Sequence, residues 1–440
     1  RPVPFEGGPV PCDEVLHPEG PSEPSATLLV TLPVTGELEP TAATEVVGSG
    51  SLVHVTTDAA YLATPTWSSS TPQTGIHRFD LADLTHTGSG SVEGALLNDF
   101  SMSEHDGHLR VATTVDGGCC WGGPIAVEPG IAVDDGETVF SIIDGEGSEE
   151  PAVDPAPPVS TSVPETTEPE LTEPETVPEP TTTVPETSTT VAETTTTVAP
   201  ETTTTTTVPD PTEGLNRIVV LDTDGDLDVV GQTERFGHPG ETLRGIRFVG
   251  DTAYAVTFLQ TDPFYVVDLA DPAAPTVVGE VELPGFNAYL HPVGDDAVIG
   301  FGPGEDGRVT AELFDVSDPT APRVAGSIEV GDDSPVTYDH HAFIDLGDGR
   351  FAVPAADSSG GGDLCPPDAL CEATSLASEV VTLEVDGDQL REVERRSVVL
   401  DGYQQATRAL PAGDGWAVLG ETQIVVLDGA GDEVGRVTLT

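Results

Sequence analysis

Residues 246–268 read Ile246-Arg-Phe-Val-Gly-Asp-Thr-Ala-Tyr-Ala-Val-Thr-Phe258, then Leu-Gln-Thr, then Asp262-Pro-Phe-Tyr-Val-Val-Asp268. Runs rich in Val, Tyr and Phe, broken by Gly250-Asp251, are strand and hairpin signals. The unit ends in a short apolar run closed by an acid, and that ending recurs. It is found at Ile76–Asp80, Ile218–Asp222, Leu313–Asp315, Thr382–Glu384 and Ile424–Asp428. The step from Asp222 to Asp268 is 46 residues, from Asp268 to Asp315 is 47, and from Glu384 to Asp428 is 44. A repeat of about 40–50 residues with four strands is the period of a β-propeller blade.

The turns agree with the period. Gly250-Asp251, Gly294-Asp295, Gly347-Asp348 and Gly413-Asp414 each precede a β-rich run. Asp271-Pro272 and Asp318-Pro319 start turns before an outer strand, where proline costs no ladder bond. The expected fold is therefore all-β, a propeller of four-stranded antiparallel blades. Six whole units fall at 48–95, 96–232, 241–283, 286–330, 338–398 and 403–440, and 26–47 reads as the outer half of one more. A closed ring has about 4–8 blades, so the expectation is 7–8 in the complete protein, with blade material upstream of Arg1. No leader sequence stands at this start.

Two intervals are long. Asp315 to Glu384 spans 69 residues and contains a Gly-rich loop near 358–378. Asp80 to Asp222 spans 142 and contains a Thr/Pro/Glu-rich tract over 146–213. That tract has almost nothing large and apolar to offset ordering entropy, so it is expected to be a disordered, extended insertion. Thr-Pro-rich tracts are also O-glycosylation substrates. The repeat arithmetic places the insertion inside one blade, between strands at 109–113 and 218–221. Residues 1–440 then form a single propeller domain, against the alternative of two domains hinged at the tract.

The formal net charge is -62, and all 15 basic residues are Arg. Only 15 of the 77 acids lie in the tract, so 62 belong to the rest. Such a chain repels nucleic acid, whose binding needs a basic footprint. It has no apolar run long enough for a membrane helix, so direct membrane insertion is not expected. Five Cys occur, none in Cys-x-x-Cys spacing, which argues against a zinc site. Cys365 and Cys371 bracket Pro-Pro-Asp-Ala-Leu and suit a local disulfide and an oxidising compartment. The pairing of Cys12, Cys119 and Cys120 stays open.

Four stretches carry a family resemblance: Phe100–Thr114, Ile246–Phe258 with Asp262-Pro263, Pro284–Pro292 and Tyr338–Phe343. They resemble a bacterial and archaeal family of secreted β-propeller proteins distantly similar to WD-repeat proteins. Asp-Leu-Ala-Asp-Pro at 268–272 and Asp-Val-Ser-Asp-Pro at 315–319 resemble short repeats of microbial surface propellers. The chain departs from that family in lacking its upstream blades and in carrying the long insertion. The resemblance implies the fold and a secreted or cell-surface location, and it implies no activity.

Two groups of residues could carry chemistry. Asp222, Asp224, Asp226 and Asp228 alternate as in a calcium loop, but the glycine is out of register for an EF-hand. A plain hairpin turn explains the same residues. Near the blade starts stand Glu104, His105, Arg244, Arg247, His291, Asp339, His340, His341 and Arg408. First strands of blades line a propeller's channel, so these side chains are expected to converge at its mouth, where they would bind a metal or an anion. Hydrogen bonds that tie blades together are the competing use. No Gly-x-Ser-x-Gly, His-Glu-x-x-His or phosphate-binding loop occurs. The reading is a non-catalytic propeller for binding, scaffolding or display, with an extracellular protein or glycan as partner. A metal-dependent hydrolase or lyase at the channel cluster, and a structural envelope component with a glycosylated stalk, are the alternatives.

Overall fold

The computed structural model describes residues 10, 15–17, 25–33, 35, 39–50, 52–66, 72–115, 214–259, 262–357, 377–401 and 404–439. The chain divides into two units, Arg1–Ala126 with Thr207–Thr440, and Val127–Thr206; the second lies outside the described residues.

Within the first unit, β1 (Ala26–Thr31) and β2 (Ala42–Val47) form a two-stranded sheet. Blade 1 is β3 (Leu52–Val55), β4 (Ala59–Thr66), β5 (Gln73–Asp80) and β6 (His86–Glu93). Blade 2 is β7 (Met102–His105), β8 (His108–Thr114), β9 (Asn216–Asp222) and β10 (Val229–Gln232). Blade 3 is β11 (Thr242–Val249), β12 (Thr252–Phe258), β13 (Asp262–Asp268) and β14 (Thr276–Leu283). Blade 4 is β15 (Tyr289–Val293), β16 (Ala297–Pro303), β17 (Val309–Asp315) and β18 (Arg323–Gly331). Blade 5 is β19 (Ile344–Gly347), β20 (Arg350–Asp357), β21 (Ala377–Asp386) and β22 (Gln389–Val398). Blade 6 is β23 (Arg408–Ala412), β24 (Gly415–Leu419), β25 (Gln423–Leu427) and β26 (Glu433–Thr438).

Every blade is an antiparallel meander in chain order, and its bounds fall inside the unit read from the sequence, except that β18 runs one residue past 330. The expected turns close the hairpins: Gly250, Gly294, Gly347 and Gly413 all take positive φ. Blade 2 holds the longest connection. β8 pairs with β9 from His108↔Asp222 to Thr114↔Asn216, so strands about a hundred residues apart are antiparallel neighbours. Residues 116–213, with the insertion, Cys119 and Cys120, lie outside the described residues, as do Cys12, Cys365 and Cys371.

Middle strands are apolar without alternation because they are covered on both faces. In β9, Ile218, Val219, Val220 and Leu221 are all buried. One face of a blade packs against the next. Val256, Phe264 and Val266 of blade 3 meet Leu290, Val298 and Phe314 of blade 4. The Phe264 and Phe314 rings stack there with centroids 4.1 Å apart. Phe301 and Leu313 of blade 4 meet Phe351 and Val381 of blade 5. The β1–β2 sheet packs Leu29 and Val46 on Leu62 and Phe79 of blade 1. Among the described residues no helix is long and apolar enough to cross a membrane.

Candidate ligand site on the inner strands

The site starts from a short turn. Asn98 caps Asp99–Ser101: its side chain accepts from Phe100 N at 3.0 Å, and Ser101 Oγ accepts from Asn98 N at 3.1 Å. This reciprocal pattern satisfies donors that a turn otherwise leaves open. The turn packs against β3, β8 and β11, of blades 1, 2 and 3, and carries Phe100 with it. The Phe100 ring lies 5.9 Å from Tyr289 of blade 4, and 5.0 Å edge-on from His340, which opens blade 5. The guanidinium of Arg247, from blade 3, sits 4.6 Å from its centroid.

A second turn supplies the histidines. Asp339 caps His340–Ala342, accepting from His341 N at 3.0 Å. Its Oδ1 is also 2.9 Å from His341 Nδ1, and its Oδ2 accepts from Arg408 of β23 at 3.4 Å. Burial opposes the charge on Asp339, but these hydrogen bonds and the Arg408 charge hold its carboxyl below the usual range.

The remaining side chains come from equivalent places on first strands. His54, Glu104, Arg247, His291 and Asp345 each stand one or two residues before the end of β3, β7, β11, β15 and β19. Neighbours contact or couple electrostatically. Glu104 accepts from the Tyr61 hydroxyl at 2.7 Å, and Arg78 donates to that hydroxyl at 3.1 Å. His291 lies 3.9 Å from Asp345 and 3.3 Å from the Tyr289 hydroxyl. Burial lowers the His291 pKa, Arg247 lowers it further, and Asp345 opposes. His340 is lowered by burial and by His341, against Asp339 and Asp99. His54 is lowered by burial against Glu104 and Asp99. All three imidazoles are thus biased toward the neutral form.

Arg247 differs from its neighbours. Among the described residues it has no hydrogen bond or ion pair, and its recorded ring contact is Phe100. Arg350 is the other described arginine in that position, and it is exposed on the first hairpin of blade 5.

The residues grouped from the sequence therefore fall into separate sets. Arg247 and His340 meet on Phe100, and His291 stands one step away, against Tyr289, Phe343 and Phe351. Asp339, His341 and Arg408 tie blade 5 to blade 6. His105 lies 3.3 Å from Asp251 and 3.7 Å from Asp106, at adjacent hairpin tips of blades 2 and 3. Glu104 is joined to blade 1. Arg244 is not in the group: it is the extra residue of a bulge between Leu243 and Gly245, and it covers the Phe258 and Phe286 rings at 5.4 and 5.7 Å. Arg244 lies further back along β11, against Phe286 rather than Phe100. The sequence reading passed over Phe100, His54, Tyr61 and Tyr289. The Asn98-x-x-Ser101 capping pattern was the available signal for Phe100.

Among the described residues two groups have ligand atoms close enough together for a metal: Asp339 with His340 and His341, and His105 with Asp106 and Asp251. The four aspartates of the 222–228 loop are not gathered in this way. Asp222 instead accepts from Asp224 N at 2.9 Å, Gly225 takes φ +98°, and Leu227 is buried. A Cβ at Gly88 would fall on the Gly225 carbonyl, so the loop also seats blade 2 against blade 1.

Open cavities among the described residues lie elsewhere. One, of about 470 Å³, is bounded by Asp295, Asp296, Asp315 and Asp388 over Phe314 and Val385. Another, of about 500 Å³, is bounded by Glu305, Asp306 and Glu312. The half-exposed inner-strand side chains offer more varied chemistry than either acidic hollow.

Fold and inner-strand site together define a β-propeller. The chain belongs to the family described as "Beta propeller domain", whose model matches residues 5–395. It is 41% identical over 130 residues to an uncharacterized protein of Methanocaldococcus jannaschii, covering 29% of this chain and 20% of that one. It is 42% identical over 145 residues to an uncharacterized protein of Archaeoglobus fulgidus, covering 32% of this chain and 23% of that one. The chain thus spans less than a quarter of the curated relatives it matches. A solved structure of a protein from Lactobacillus plantarum is similar at 14% identity and a TM-score of 0.29, over 54% of this chain and 64% of that one.

Proposed function

We propose that this chain is a non-catalytic, exported or surface-displayed binding propeller, folded as one domain, whose ligand docks where the inner strands meet. The supporting observation is the meeting of Phe100, Arg247, Tyr289, His291 and His340 from different blades. Aromatic faces beside polar groups suit recognition of a glycan or peptide. Export is supported by the Cys365 and Cys371 spacing and by the Thr/Pro/Glu-rich tract. The test is a glycan and peptide array probed with the protein and with Phe100→Leu. Ligands held by the first and lost by the second support the reading. Ligands held equally by both move the site elsewhere.

A metal-dependent hydrolase is the second reading, favoured by the Asp339, His340 and His341 group. Its difficulty is Asp339, which already serves a cap, an imidazole and Arg408. Elemental analysis of protein purified without chelator decides it. Stoichiometric transition metal, lost in His341→Ala, would favour the enzyme.

A further inference from the structure

We infer that the inner-strand site takes a carboxylate-bearing monoanion, gripped by the guanidinium of Arg247 and packed on the Phe100 ring. The inference rests on the binding role proposed above and names its ligand chemistry.

The argument begins with charge. In a chain of net charge -62, arginines find carboxylates easily. Arg78, Arg110, Arg217, Arg235, Arg308, Arg323, Arg391, Arg395, Arg396, Arg408 and Arg436 all donate to a side chain or a carbonyl. Arg247 is half-buried and shares its neighbourhood with Asp99 and Asp345, yet it is bonded to neither. It is held instead over the face of Phe100, and among the described residues its N–H donors meet no hydrogen-bond or ion-pair partner. A planar fork of N–H donors matches a carboxylate, which it can meet with two parallel hydrogen bonds.

The surroundings choose among anions. Asp99, Glu104 and Asp345 belong to the same electrostatic neighbourhood as His54, His291 and His340. Those carboxylates repel a phosphate dianion more strongly than a singly charged group. The His291 and His340 rings, the first set by the buried Tyr289 hydroxyl, add neutral hydrogen-bonding and stacking partners around the ligand body. One carboxylate on a polar or sugar-like body fits this set. It can come from a uronic acid or from a peptide C-terminus, since both present the same planar anion.

Calorimetry and thermal unfolding on the full chain test this at constant ionic strength set with NaCl. The probes are D-glucuronate and N-acetyl-trialanine, their neutral counterparts D-glucose and N-acetyl-trialanine amide, and inorganic phosphate. Saturable binding of at least one acid is expected, with Kd on the order of 1 mM. The acid that binds tighter identifies the source. Its neutral counterpart and phosphate should bind at least about fivefold more weakly. Arg247→Gln should weaken the acid by about tenfold or more. Arg247→Lys, which keeps the charge and loses the fork, should fall between. Arg350→Gln, at the other arginine without a partner among the described residues, should match the parent within about twofold. Equal binding of acid and neutral probes, or an Arg247→Gln affinity equal to the parent's, overturns the carboxylate. If neutral probes bind and Phe100→Leu weakens them, the inner-strand reading survives that loss. If no probe responds to either residue, both fall.

Discussion

The outermost strand of blade 5 and the innermost strand of blade 3 handle arginine in opposite ways. On β22, Arg395 donates to Glu379 at 2.6 Å and Glu392 at 2.8 Å, and reaches back to the Val330 and Glu329 carbonyls of blade 4. Its neighbours Arg391 and Arg396 are paired with Glu384 and Glu394. On β11, Arg247 has, among the described residues, only an aromatic face beneath it. The outer arginines spend their charge on holding blades together against a heavily acidic surface. The inner one does not, and that difference is the reason to read it as a ligand contact.

The largest expected effect lies on the outer strand. Arg395→Ala removes a clamp between blades 4 and 5 and leaves Glu379, only 14% exposed, without its cation. Hydrogen bonds to Glu392 and Glu379 hold the Arg395 pKa above its ordinary value despite burial, which marks the pairing as favourable. Breaking a partly buried pair of this kind should cost roughly 2–4 kcal/mol. Urea unfolding of parent and variant reads it directly. A cost below about 0.5 kcal/mol would mean that the rim pairs are ornaments of an already stable sheet.

The histidines show the same contrast on a pH axis. His77 of blade 1 is 7% exposed, lies 3.0 Å from Thr64 Oγ1 and 2.8 Å from Ser89 Oγ, and belongs wholly to the fold. Burial, and then the charge of His86, lowers its pKa from 6.5 to about 4. Between those values the unfolded chain binds the proton and the folded chain does not. Stability should therefore fall as pH drops through that window, and this contribution should level off below about 4. The shift bounds the loss at about 3 kcal/mol, and roughly 1–3 is expected. Other groups titrate in the same range, so the measurement is the difference between the parent and His77→Gln. Parallel pH profiles would remove His77 from the account.

Much of the fold was legible because its causes are local and repeated. The acid-terminated apolar runs, the Gly-Asp hairpins and the step of 44–47 residues each follow from one blade's needs. The same arithmetic located the pairing of β8 with β9 across the insertion. The site was legible only by strand. First-strand position grouped Arg244 with Arg247 and His291, because nothing local announces that Arg244 packs on Phe258 and Phe286 while Arg247 packs on Phe100. Phe100 was missed for a deeper reason. A lone Phe in a β-rich chain reads as core, and its role comes from Tyr289, His340 and Arg247, up to 240 residues away in sequence. His54 and Tyr61 likewise gain meaning only when blade 1 stands beside Glu104.

The smallest expected effect is the most informative about Arg247. Arg247→Gln removes a cation from Phe100, a contact worth about 0.5–1 kcal/mol when half exposed. It breaks no ion pair among the described residues, and it leaves the aromatic packing of Phe100 on Tyr289 and His340 in place. It also relieves the cost of half-burying a charge without a bonded partner, which offsets part of the loss. The unfolding free energy should therefore change by less than about 1 kcal/mol, well below the change in Arg395→Ala. Urea midpoints for the two variants, taken in one buffer, make the comparison. Equal losses would place Arg247 in the same structural service as the outer arginines, and the inner strand would no longer hold a charge in reserve. A near-silent Arg247→Gln leaves a half-buried guanidinium that the fold does not use, and a ligand is then the remaining reason for its position.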